Sequence, residues 1–199
     1  MGYSRVRVDS QIDARPGLPT SMQLRKIIKV GLYLLLMGIM ALPLFGLRVP
    51  KMLPSLWLLV IHEFSGFLFF GHTLFSNIWS MRIRQTQGLE TGIWARAFIR
   101  KLAMGITLPT TIITPLAGLM LIEDWDGLQN APWAYDAYLA FWLMAGISLW
   151  PDLIRLAIDE HAKEPTHGML SGGTRGILAL FLTIYIIFCM ITKQAWITG

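Results

Sequence analysis

Charge is what this chain has least of. Only 15% of its 199 residues are Asp, Glu, Lys or Arg, against roughly 25% in soluble domains. A chain so poor in charge cannot cover a soluble core, so a soluble globular domain is excluded. Cysteine is almost missing. Cys189 stands alone, which rules out an intrachain disulfide and any multi-cysteine metal site. It lies in an apolar run and reads as a small hydrophobe. There is no internal repeat, no low-complexity segment and no Ser/His/Asp or Cys/His set that can be assembled for nucleophilic chemistry. Ser171-Gly172-Gly173-Thr174 reads as a flexible helix entry and lacks the full phosphate-loop pattern, which argues against a nucleotide site.

What is present is hydrocarbon. The chain is 54% hydrophobic, arranged in five apolar runs at about 27–47, 54–81, 98–122, 134–158 and 176–192. Each supplies the roughly 17–25 residues that a bilayer crossing needs. Residues 1–24 form a polar arm, and 25–199 form the membrane domain. Arg25, Lys26 and Lys29 precede the first run. That run exceeds a signal peptide's apolar core and reads as an uncleaved anchor. Many of the eight Trp and five Tyr lie near run ends, as interfacial aromatic belts do.

Five crossings put the termini on opposite sides. With the N-terminus cytoplasmic, every Lys and Arg except Arg48, Lys51 and Lys193 falls inside. The outer segment from Glu123 to Asp136 carries acids and no base. This matches the positive-inside rule and assigns the basic charge to anionic lipid, with no nucleic acid needed. The expected fold is an all-α membrane bundle of five transmembrane helices, N-terminus cytoplasmic and C-terminus outside, in a bacterial cytoplasmic (inner) membrane.

The second run is unusual because it carries His62, Glu63, His72 and Asn77. Ionisable groups at membrane depth normally face a bundle interior, a partner or a cofactor. At about 100° per residue, Gly66, Phe69, Thr73, Asn77 and Ser80 fall on the face of His62, with Ser65 and Ser76 on the same side. Small and hydroxylated residues favour close helix packing in membranes. His72 lies toward one edge of this stripe and Glu63 toward the other. In the third run Thr107, Thr110, Thr111, Thr114 and Gly118 share a face, interrupted by Pro109 and Pro115. Each proline frees a carbonyl one turn back, here those of Gly105 and Thr111, which hydroxyls or water would satisfy. A kinked helix meeting the second run is expected. Asp152 and Arg155 can pair near the end of the fourth run, where Pro151 should bend or restart the helix.

His62 has three readings: a hydrogen-bonded packing histidine, an axial ligand to a tetrapyrrole metal, or a member of a proton or metal path with Glu63 and His72. A bis-His haem between helices is excluded, because no other run contains histidine. His62 and His72 stand about 15 Å apart along the axis and about 80° apart in rotation. His161 and His167, with carboxylates between them, form a loose metal candidate without tight ligand spacing.

The segments His62-Glu63-Phe64-Ser65-Gly66 and Gly71-His72-Thr73-Leu74-Phe75-Ser76-Asn77-Ile78-Trp79, followed by Leu108-Pro109-Thr110-Thr111-Ile112-Ile113-Thr114-Pro115-Leu116-Ala117-Gly118-Leu119, resemble the first two conserved helices of a bacterial integral-membrane family known only as a domain of unknown function. That family is distantly similar to copper-resistance protein D and to HemJ-type protoporphyrinogen oxidase. The resemblance covers about residues 54–158. It implies that His62 stands where that wider group has a histidine linked to haem chemistry, and so points to haem b or another tetrapyrrole. The additional arm and first run depart from the four-helix pattern, and the oxidase's second basic group has no counterpart here.

The leading expectation is an accessory or assembly subunit of a larger membrane complex, in contact with lipid and with other membrane subunits, holding a tetrapyrrole at His62. The alternatives are a haem-dependent oxidase of tetrapyrrole synthesis and a metal or proton permease.

Overall fold

A computed structural model describes residues 21–151 and 169–198. Most of the arm, the end of the fourth run with Asp152 and Arg155, and the His161 and His167 pair lie outside the described residues.

All described regular structure is helical. Helix α1 spans Ser21–Ala41 and passes into a 3-10 turn, Leu42–Phe45, that accepts Pro43 at its start. Helix α2 is Ser55–Thr86, and α3 is Leu89–Leu102. Five residues in π geometry, Ala103–Thr107, join α3 to α4, Leu108–Leu121. Helix α5, Pro132–Met144, is likewise extended by a π-turn, Ala145–Leu149. Helix α6 is Met169–Thr192.

Four helical stretches among the described residues are long and apolar enough to cross a membrane: Ile27–Phe45, Ser55–Thr86, Leu89–Trp125 and Gly173–Thr192. Large apolar side chains on them, such as Leu35, Phe67, Phe75 and Phe181, are exposed, which is compatible with contact with a lipid bilayer. Without water to bond the backbone, helices are the economical way to cross hydrocarbon, because every peptide group is satisfied within its own segment.

The helices outlast the apolar runs. Helix α2 continues to Thr86 and α3 begins at Leu89, so a two-residue link replaces the interval between the runs at 54–81 and 98–122. Arg82, Arg84, Arg96 and Arg100 thus sit on helix. Long basic side chains can run along an apolar surface toward water, so a helix need not end where hydrophobicity does. Trp94 stacks on Phe98, and Trp79 meets Phe98 edge-on, which ties this end of α2 to α3. Similarly, Pro151 is still helical. Ser171 through Thr174 lie inside α6 and not in an entry turn. Gly173 among them packs closely against Arg84 of α2, described below.

Two antiparallel pairs dominate the bundle: α2 on α4, and α5 on α6. Helix α1 leans on α4, and the Tyr138 hydroxyl donates to the Met40 carbonyl at 2.9 Å. The core lies among α1, α4, α5 and α6, where Met40, Ile112, Leu119, Tyr138, Phe141 and Met144 are buried together.

The two ends of the bundle differ. At the loop end, Arg48 donates to the Asp126 carbonyl at 3.0 Å and pairs with Glu123 at 3.5 Å. Lys51 pairs with Asp124, which also accepts from Ser55 Oγ at 2.7 Å. Hydrogen bonds from Lys51 and Ser55 hold the Asp124 carboxyl below the ordinary carboxylate range. One turn into α5, Asp136 is 0% exposed. Its carboxylate accepts from the Tyr185 hydroxyl at 2.9 Å, from the backbone N–H groups of Trp196, Ile197 and Thr198 at 2.6, 2.8 and 3.1 Å, and from Thr198 Oγ1 at 2.7 Å. A buried charge survives only with such full satisfaction. Lys193 lies 3.6 Å from the centre of the Trp133 ring. Burial pulls its pKa below the ordinary lysine value, and the Glu63 carboxylate opposes that shift. The opposite, arginine end is open, and the chamber described next lies there.

Candidate functional site

The seam between α2 and α4 carries the polar residues of both helices. His62 Nδ1 lies 2.8 Å from the Thr114 carbonyl oxygen. A carbonyl only accepts, so Nδ1 carries a proton and donates to it. The ring rests in the notch left by Gly118, where a Cβ would come within 2.9 Å of Cε1. Thr114 is used twice: its hydroxyl donates to Ser65 Oγ at 2.8 Å, and Ser65 in turn donates to the Ile61 carbonyl at 2.6 Å. Gly66 faces the Thr114 methyl.

Farther along, His72 Nδ1 meets Thr107 Oγ1 at 2.7 Å. The two histidines therefore sit on one seam, each fixed through Nδ1 by a group from the Leu89–Trp125 stretch. Glu63 is exposed and away from that seam. Thr73 is buried. Asn77 donates to the Thr73 carbonyl at 2.8 Å and to the Gly176 carbonyl of α6 at 3.3 Å.

The threonines of α4 follow their own geometry. Thr110 donates to the Ile106 carbonyl at 2.7 Å, and Thr111 to the Thr107 carbonyl at 2.6 Å. A helical threonine reaches back three or four residues. Reaching Gly105 or Thr111 in that way would need a hydroxyl three or four residues on; 109 and 115 are proline, 108 is leucine, and Thr114 gives its hydroxyl to Ser65 instead. The hydroxyls therefore go to other carbonyls than the two expected ones. Pro109 is accommodated instead by the π-turn before it, where the Leu108 N–H bonds to the Ala103 carbonyl.

Beyond His72 the seam opens into a chamber of about 280 Å3 between α2, α3, the two π-turns and α6. Both π-turns contribute to its wall, through Ala103, Met104 and Thr107 on one side and Ala145 and Ser148 on the other. Single π-turns within helices occur disproportionately at functional sites. His72, Thr73 and Thr111 give the chamber a polar depth, and Phe69, Ile83, Ile99, Met104, Leu108 and Met144 give it apolar sides. Arg84, Arg96, Arg100 and Arg175 stand around it, and no Asp or Glu lines it among the described residues. His72 Nε2 and Ser148 Oγ are buried without a partner. An unsatisfied buried polar group costs roughly 1–3 kcal/mol, and native structures retain few of them.

Sequence reasoning named His72, Thr73, Asn77, Thr107 and Thr111, but not Ser148 or the four arginines. It also passed over Asp136, although a carboxylate inside an apolar run is itself a signal. Ser148 could not be found from a regular 3.6-residue period, because the π-turn shifts its phase. No group of three or more His, Cys, Asp or Glu side chains suited to a metal ion occurs among the described residues. No family profile, curated protein or solved structure matches the chain.

Proposed function

We propose that this chain is an accessory subunit of a membrane complex, and that its own contribution is a ligand chamber and not a reaction centre. One observation carries the reading: a walled space between two π-turns, with the polar atoms of His72 and Ser148 left unpartnered beside it. A purely structural bundle would fill such a space with hydrocarbon, because packing is what holds membrane helices together. The reading includes a five-span arrangement with the arginine end in the cytoplasm, in a bacterial inner membrane. The distribution of Lys and Arg supports that orientation through the positive-inside rule.

Two measurements test it. The chain purified in detergent should carry a small molecule detectable by mass spectrometry, and Ala145→Phe, which fills the chamber, should remove it. In solubilised native membranes the protein should migrate well above the mass of a homodimer. Migration as a single chain overturns the subunit reading, and a ligand retained by Ala145→Phe overturns the chamber.

A second reading rests on His62. Its Nδ1 donates to a backbone carbonyl, which leaves Nε2 as the ring nitrogen that could meet a metal, the arrangement in which metal-bound histidines are held. The donor chemistry therefore fits an axial ligand to haem b or another tetrapyrrole. His62 does not line the chamber, so a macrocycle on Nε2 would require a second chain to complete its pocket. A Soret band in the intact complex that disappears in His62→Ala supports this reading, and a spectrum without one ends it. A haem-dependent oxidase would need that same band. A permease path through His62, Glu63 and His72 is not favoured, because Glu63 points away from the seam.

A further inference from the structure

The chamber has a chemical preference that its use as a binding site does not by itself specify. We infer that it takes a phosphate-bearing anion with an apolar body: the phosphate at Arg84 and Arg100, the apolar part against the chamber's sides. The inference rests on the reading of the chamber as the binding site.

Arg84 is placed and not merely present. It extends from the last turn of α2, and its Nε donates to the Ser80 carbonyl at 3.2 Å. That bond leaves the outer face of the guanidinium for other partners. Its two terminal nitrogens lie over Gly173 of α6, where a Cβ would come within 3.0 Å of Nη1 and 3.3 Å of Nη2. One turn along, Gly176 makes the same kind of room for Asn77. Any larger residue at 173 would displace the guanidinium from the chamber wall. Arg100, in the last turn of α3, lines the same chamber. Arg96 and Arg175 add positive charge beside them while engaging other groups.

The ligand class follows from the lining. Guanidinium groups bind phosphate through paired, charge-assisted hydrogen bonds. With no carboxylate lining the chamber among the described residues, a cation is disfavoured there. The apolar sides would leave a free inorganic anion in contact with hydrocarbon on most of its surface, so an apolar body attached to the phosphate is favoured. Basic pockets between membrane helices commonly hold lipid headgroups in this way. A soluble phosphate ester with an apolar group shares the chemistry.

The test uses the full chain in detergent, with phosphatidylglycerol, phosphatidylcholine and hexyl phosphate as probes and native mass spectrometry as the readout. Phosphatidylglycerol should bind in preference to phosphatidylcholine. Removal of each guanidinium should weaken it about fivefold, so that Arg84→Gln with Arg100→Gln loses most of the bound lipid. Arg48→Gln at the loop end should change nothing. Gly173→Val keeps the net charge and should still lower affinity, because it moves the Arg84 guanidinium; circular dichroism confirms that the variant is helical. Competition by hexyl phosphate identifies a soluble ester as the source, and lack of competition identifies the lipid. Equal binding of the two lipids, or full binding by the double variant, overturns the inference. If Ala145→Phe keeps the phosphatidylglycerol that the double variant loses, the basic rim binds lipid without the chamber. That outcome overturns the inference as stated and also removes the chamber reading. If instead Ala145→Phe loses a co-purified ligand while neither lipid nor hexyl phosphate binds, the phosphate assignment alone fails.

Discussion

The loop end and the arginine end of this bundle handle polar groups in opposite ways. At the loop end Arg48 is paired with Glu123 and Lys51 with Asp124, and Asp136 has five donors. Toward the arginine end, His72 Nε2 and Ser148 Oγ are buried and unpartnered beside an open chamber. The same chain thus builds a sealed cap and an unfinished interior. The difference teaches where to look for function, because satisfied polar groups hold a fold together while unsatisfied ones await something.

The sharpest way to break this contrast is to unseal the cap. Asp136→Ala strips partners from Tyr185 and from three backbone N–H groups at once. A loss of about 3 kcal/mol or more is expected, read as an earlier unfolding midpoint in a micellar denaturant titration. Unchanged stability would show that the clamp contributes little. Next in size is Gly118→Val, which drives a side chain into the His62 ring. Overpacking of this kind costs about 1–3 kcal/mol, and it should part α2 from α4 by measurable cross-linking distances. At the open end the sign should reverse. Ser148→Ala removes a buried hydroxyl without a partner, so stability should hold or rise by up to about 1 kcal/mol. A clear loss there would mean that Ser148 is satisfied after all, and the contrast would weaken. The smallest effect concerns Asp124. Its folded pKa is depressed by Lys51 and Ser55, so its contribution is present above the unfolded carboxylate pKa and fades as pH falls through the folded value. Lys51→Met should flatten that acid-side slope in a thermal melt followed across pH.

Much of the architecture could be read from spacing alone, and the reason is periodicity. The polar stripe of α2 and the threonine face of α4 each stay in phase over their own lengths, so counting at about 100° per residue sufficed for them. His62 with Thr114 and Ser65 with Thr114 are contacts between those two stripes. Counting failed where the period changes. The turns at Ala103–Thr107 and Ala145–Leu149 are wider than α-turns, and nothing in Ala-Met-Gly-Ile-Thr or Ala-Gly-Ile-Ser-Leu announces that. The arginines were legible as a topological signal but not as a wall, because the helices that carry them were expected to stop earlier. Asp136 was overlooked for a different reason. Its donors come from around residues 185 and 196–198, and such distant partners leave no local pattern.

The two widened turns have a genetic consequence. Each holds one residue more than the ordinary spiral needs, so deleting any single codon within it lets the helix close up again without a break. The stretch beyond would keep its facing, and only the side chains of the turn itself would be dealt anew to the compartment. What the compartment presents to its guest is therefore written in how many residues stand in these two places, and an insertion or deletion there could re-specify it in one step, where an equal change elsewhere in the bundle would unseat a whole helix.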